Sequence, residues 1–439
     1  MKSPILEGIP ILMLAFSCRL LGAQLGVPPT PPPSSSLTLA DAEHLAIEHN
    51  PRISIARLLQ LAQNEIVREV RSNDLPTVGV NATAVDSHNG SRITAGNLNN
   101  PIVYERAAGG LTVSQLITDF GRTRHLIDSA ESQSRAQADA QRANTADIVL
   151  AVDDAFYQAL TSQAVLKVAQ QTVAERQATV DQIGALTASK LKSALDLSFA
   201  NVELSQANLL LLDAQNKAQD AMANLNALLG SESDDQYNLV DPRPSIAQPP
   251  PDGAESLVQL AFASRPDLAA LNESYAAARQ FSAAERALGR PTISALAATG
   301  TTPIRADQIT SSWYGAVGAN VSIPVFNGFL FSARAREADF RASAAQEDVR
   351  NLRELIARDV RTSVLAAQVA YRRIDVTKQL LDQSNLALDL AQTRYKLGLS
   401  GIVELSQAQL AQTQGEIAYA NARYAYQAAL AQLTYQTGQ

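Results

Sequence analysis

Only one cysteine, Cys18, occurs in the 439 residues, so the chain has no internal disulfide and no cysteine-built metal site. Aromatic residues are also scarce, at 5%. Much of the 46% hydrophobic content is alanine, which suits long, closely packed helices better than a thick globular core. Beyond the N-terminus no run of 18 apolar residues occurs, which excludes a helical transporter. It does not exclude a barrel, whose strands are short and alternating. The net charge is −7, the pI is about 5.3 and no basic patch stands out, so nucleic acid is not an expected partner. Phosphate loops, nucleophile–base motifs and metal clusters are missing, so neither an enzyme nor a cofactor is expected. Asp119-Phe120-Gly121 matches a magnesium-holding tripeptide of protein kinases. Its companions (a Gly-rich loop, a strand lysine and a His-Arg-Asp loop) are absent, and the match is read as coincidence.

The first 23 residues pair a short basic start with an apolar stretch from Ile9 to Ser17 and small residues at Gly22-Ala23. That is the pattern of an export signal cleaved near Ala23. Lipidation at Cys18, within "LAFSC", is the alternative. Residues 24–36 form a Pro/Ser linker, too stiff and polar to pack.

The rest is one unit written twice. Pro51 matches Pro266 and Pro76 matches Pro291, each 215 residues on. Val113-Ser114 matches Val321-Ser322, Asp119 matches Asn327, and Asp196-Leu197 matches Glu404-Leu405, each 208 on. The difference of seven belongs in a loop. The repeats are expected over 37–230 and 255–439, joined by 231–254.

Each repeat reads as two strands followed by a long helix and a returning helix. "WYGAVGANVSIPV" alternates, with Trp313, Val317, Val321, Ile323 and Val325 on one face and Tyr314, Asn320 and Ser322 on the other. Its partner spans Ile293 to Ala298, and the first repeat has strands over Val78–Val85 and about Tyr104–Leu116. Asp119 and Asn327 stand where strand gives way to helix, placed to accept from free helical N–H groups, with Gly121 and Gly328 relaxing the backbone. Proline-free runs from Arg122 and from Phe329 each predict a helix of about 90 Å or more. The returning helices carry heptads, Leu195-Val202-Leu209 and Val403-Leu410-Ile417, which read as the coiled-coil seam. Four strands cannot close a barrel, so strands that face lipid require several chains to share one.

"VSIPVFNG" entering a long helix and "RYKLGLSGIVELSQAQL" at a helical turn closely resemble the TolC-type outer-membrane efflux channels, over Leu37 to the C-terminus. The resemblance implies a mainly α fold with a membrane β part. Three chains would form a twelve-stranded β-barrel continued by a periplasmic α-helical barrel in a Gram-negative-type outer membrane. Leu39–Val70 and Glu255–Leu288 would form a belt. It implies a passive exit duct for efflux or type I secretion, recruited by a periplasmic adaptor and an inner-membrane pump. The turns at Lys190, Ser193, Gly398, Ser400 and Gly401 would meet the adaptor. Trp313, Val317, Val321 and Ile323 would meet lipid. Glu404, Gln407, Asp196 and Tyr395 would line the pore constriction, with an amide at Gln407 where the family often has a second acid. A periplasmic adaptor and a coiled-coil scaffold are the alternatives.

Overall fold

The computed structural model describes residues 36–86, 88, 105–233, 235–241, 253–304 and 311–439. The export-signal reading, Cys18 and nearly all of the Pro/Ser linker lie outside these residues.

The chain runs β1 (Ser36–Leu37), α1 (Leu39–His49), α2 (Pro51–Ser72), β2 (Thr77–Val85), β3 (Arg106–Thr118), α3 (Arg122–Ala188) and α4 (Ala194–Leu229). It continues through β4 (Asn238–Leu239), α5 (Glu255–Ser264), α6 (Pro266–Arg286), β5 (Thr292–Ile304), β6 (Trp313–Ser322), α7 (Leu330–Lys396) and α8 (Ile402–Thr437). The breaks between α1 and α2 and between α5 and α6 each fall before a proline, Pro51 and Pro266, which starts the next helix at a position that needs no N–H. A short parallel pair joins β1 to β4.

The larger sheet has the order β2-β3-β5-β6, with every neighbour antiparallel. β3 and β6 therefore run in the same direction, and α3 and α7 leave the same end of the sheet. Register places Val78 and Val80 opposite Val113 and Leu111, and Ala297 between Val113 and Val317. That face is apolar from edge to edge. The other carries Asn81, Thr112, Ser114, Ser294 and Asn320, with Asn81 donating to Thr112 Oγ1 at 3.2 Å. β6 is shorter than the alternation predicts. It ends at Ser322, and Ile323 to Asn327 leave the ladder, where Pro324 has no N–H to give. β5 is longer than expected, reaching Ile304.

α3 and α7 have 67 residues each, about 100 Å of helix. α4 and α8, of 36 residues, cover only the half far from the sheet. α2 and α6 pack along the near half. The largest core lies where α1 and the β1–β4 pair cross α3 and α4, around Phe156, Val152, Leu225 and Met222. Its counterpart sets Val258 and Leu268 against Ile356 and Val360. The duplication holds to single ion pairs. Arg71 meets Glu131 at 2.5 Å and Arg286 meets Asp339 at 2.7 Å, at matching places in the two repeats.

The seam between the returning and long helices corrects the heptad reading. Leu195, Val202, Leu209, Val403 and Leu410 are all about half exposed or more. The buried stripe on α4 is Ala200, Ala207, Ala214 and Ala221, also seven apart. It lies two residues, about 200°, round the helix from Val202. Both faces are apolar with the same period, and the sequence pattern alone favours the bulkier one. Methyl groups win the seam because they let two backbones approach closely. Ala207→Leu should push α3 and α4 apart and lower stability by about 1–3 kcal/mol. Val202→Leu should change it by no more than about 0.5 kcal/mol. Denaturant titration of the helical signal separates the two, and equal effects would return the seam to the leucine stripe.

Candidate functional site at the helical tips and strand–helix junctions

Each long helix ends in the same backbone turn. Leu191 N–H reaches Leu186 O at 2.8 Å, and Leu399 N–H reaches Arg394 O at 2.9 Å. This is a Schellman closure, which requires a left-handed residue just past the helix. Gly398 supplies it in the second repeat with φ +73°, and Lys190 supplies it in the first with φ +59°. The lysine occupies a conformation that its Cβ disfavours.

The returning helices start differently. Ser193 Oγ accepts from Asp196 N at 3.1 Å, and the Asp196 carboxylate accepts from Ser193 N at 3.4 Å, a reciprocal capping box. At the matching start of α8 stands Gly401, with no side chain to cap. Glu404, the counterpart of Asp196, instead crosses the turn to Arg394, Oε1 to Nε 2.9 Å. Gln407 is exposed one turn further on, and the Ser400 hydroxyl is buried without a hydrogen bond.

Tyr395 is buried in a cluster that joins all four helices at this end, with Ile183, Ala200, Ile402 and Leu405. Lys192 Nζ, from the first tip, sits 4.0 Å from the centre of its ring. The Tyr395 hydroxyl has no hydrogen-bond partner, and burial, then the nearby Asp196 charge, push its pKa up. Thr187 stands at the matching place in the first repeat, and its hydroxyl donates to Ser193 O at 3.4 Å. Tyr395, Asp196, Lys192 and the Arg394–Glu404 pair thus share one end of the molecule. Arg394 and Lys192 were missed from the sequence. Arg394 was findable, because a hairpin folded about Leu399 sets positions 394 and 404 opposite each other.

At the other end of α3, Asp119 accepts from Thr123 N–H at 2.7 Å and from the Thr123 hydroxyl at 2.6 Å. Its second oxygen accepts from Gly121 N–H at 3.2 Å. The expectation for Asn327 does not hold in the same form. α7 has no side-chain cap, and the Asn327 backbone carbonyl takes Leu330 N–H at 3.2 Å. Phe331 stands where the first repeat has Thr123, so the hydroxyl is gone. Both junctions use two consecutive left-handed residues: Phe120-Gly121 in one, Gly328-Phe329 in the other. Trp313, Val317, Val321 and Ile323 all stand exposed, Val317 at 88%.

The family profile described as "Outer membrane efflux protein" matches residues 43–231 and 257–439. The chain belongs to the outer membrane efflux protein family. OprJ, an outer membrane protein of Pseudomonas aeruginosa, is 26% identical over 402 residues, covering 89% of this chain and 81% of OprJ. Two solved structures share the fold. A membrane protein from Pseudomonas aeruginosa superposes with TM-score 0.81 and 24% identity over 91% of this chain and 93% of its own. The outer membrane protein VceC of Vibrio cholerae gives 0.80 and 20%, over 91% and 96%. The chain is thus an efflux channel of the outer membrane that extends into the periplasm, and not the adaptor or scaffold of the alternative readings.

The left-handed lysine yields a test of the tip geometry. Lys190→Gly should stabilise the first turn by up to about 1 kcal/mol, and Ser193→Ala should weaken it by about 0.5–2 kcal/mol. Hydrogen exchange of the Leu191 amide should slow in the first variant and quicken in the second.

Proposed function

We propose that three copies of this chain close one duct, and that a periplasmic adaptor and an inner-membrane pump recruit it for export. The observation that carries this reading is an open sheet, apolar on one face and polar on the other, with two 67-residue helices leaving one end of it and two 36-residue helices returning along their far half. Four strands leave two unpaired edges, which lipid does not tolerate. β6 of one copy meeting β2 of the next continues the antiparallel order and ends the edges in a closed ring of three. Ten residues of β6, tilted by about 40°, cover roughly the 25 Å of an apolar barrel band. Trp313 then lies at the outer rim, with Val317 and Val321 against lipid. Purified protein should migrate as heat-resistant trimers from outer-membrane fractions and form conducting pores in planar bilayers. Stable monomers without conductance would overturn the reading.

The lipid-facing assignment makes a paired prediction. Val317→Arg, midway along β6 on the lipid face, should cost about 2–4 kcal/mol of insertion stability, and Ala316→Arg on the lumen face much less. Folding titrations into vesicles measure both, and equal costs would show the strand to be turned otherwise.

At the opposite end the tips around Lys190, Ser193, Gly398, Ser400 and Gly401 meet the adaptor. The constriction is built from Glu404, Gln407, Asp196 and Tyr395. Arg394 changes the electrostatics expected of it. With Glu404 paired, the ring carries little net negative charge. Arg394→Gln leaves three carboxylates uncompensated and should raise cation preference. Glu404→Gln leaves three guanidiniums and should shift the preference toward anions. Reversal potentials under a salt gradient read both signs. Loss of cation preference in Glu404→Gln without any anion shift would place Arg394 away from the pore.

A further inference from the structure

α6 lies between two long helices. Its contact with α7 is made within its own repeat, and its contact with α3 crosses between repeats. Among the described residues α2, the counterpart of α6, packs on α3 of its own repeat and makes no comparable contact with a second long helix. The missing neighbour is an α7, and only another copy can supply it. Its place can be worked out residue by residue, because the matched pairs Arg71–Glu131 and Arg286–Asp339 show that the two repeats set these helices alike.

Within the chain the crossing contact is polar. Arg135 Nε pairs with Glu273 Oε2 at 2.9 Å and Arg135 Nη2 donates to Ser132 Oγ at 2.8 Å. The Ser129 hydroxyl donates to Ala277 O at 2.8 Å. Carried over by the repeat offsets, Arg135, Ser132 and Ser129 become Ser343, Phe340 and Glu337 on α7, and Glu273 and Ala277 become Leu58 and Ala62 on α2. The ion pair and its serine are replaced by a phenylalanine, a leucine and a small residue. Phe340 is 74% exposed in the single chain and Leu58 64%, with Leu61 and Ile55 beside it on α2.

We propose that α2 of one protomer packs against α7 of the next, seating Phe340 on Leu58 and Leu61, in the place that α6 takes on α3. This rests on the trimer reading above. A second copy, rather than lipid, covers Phe340. The residue stands ten positions into α7, about 15 Å beyond the start of the helix, between Arg336, Glu337 and Arg341. A surface so charged does not face acyl chains. The same contact is therefore built twice with different chemistry: ionic where the chain meets itself, apolar where it meets its neighbour. An apolar contact costs no desolvation of charge and is not screened by salt.

Ala62→Cys combined with Glu337→Cys, in a Cys18→Ser background, tests the geometry, because the in-chain pair that they transpose is in side-chain-to-backbone contact. Oxidation should give disulfide-linked dimers and trimers in the double variant and none in either single variant. Heat-resistant trimers that never cross-link would overturn this interface and leave the channel intact. Monomers in the membrane before any substitution would overturn the trimer reading and this interface with it. The chemistry has its own test. Leu58→Glu and Ser343→Arg, which rebuild the in-chain ion pair between copies, should each lower trimer yield alone. Together they should restore it and make it fall as salt rises. A double variant no better than the singles would place these two positions apart.

Discussion

Two rows of backbone N–H and C=O groups, along the outer edges of β2 and β6, have no partner strand among the described residues of the chain. In water such edges are a liability, and in a hydrocarbon layer each unsatisfied group costs several kcal/mol. That constraint governs the rest. It makes the single chain an incomplete object and sets the way in which copies must join. It also explains an exposed apolar sheet face in a protein with few aromatics. The helices inherit the geometry. Because β3 and β6 run the same way, α3 and α7 leave together, and any ring formed by the sheet is continued by a ring of helices.

A tall, thin wall of helices cannot rely on a thick core. Its stability comes from close approach along its length, and alanine supplies it. Ala200, Ala207, Ala214 and Ala221 let α4 lie tight on α3, and Gly415 does the same for α8 against α7, where an added Cβ would come within 2.8 Å of Ser384 Oγ. The side chains with more bulk concentrate where more than two elements meet, around Phe156 and around Tyr395.

The duplication is close in backbone and loose in chemistry. Both tips use the same left-handed closure, but one is a lysine and the other a glycine. Both returning helices present an acid in the first turn. Asp196 stays home to cap its helix because Ser193 answers it, and Glu404 reaches Arg394 because Gly401 cannot. The tips therefore differ in charge distribution although they match in shape. A duct made of three such chains has six similar helix turns and only three-fold electrostatics.

Several features followed from the sequence by itself. The repeat offsets, the proline-free long helices, the alternating face of β6 and the strand-to-helix change at Asp119 are all local or periodic signals, carried by neighbours along the chain. The ends of elements were less legible, since Pro324 and the ladder partners decide where β6 stops. The coiled-coil seam is not legible, because α4 has two apolar stripes of equal period, and only the position of α3 says which one is covered. An Asn327 cap, expected by analogy with Asp119, does not form: the Phe331 N–H is present, but the hydroxyl that gives Asp119 its second bond at Thr123 has no counterpart. The tertiary structure alone decided that Glu404 is paired, that Lys192 lies on Tyr395, and that the face of α2 bearing Leu58 is left uncovered by the described residues. Each of these depends on residues far apart in sequence meeting across a turn or between helices, and periodicity along one element says nothing of what the next element brings to it.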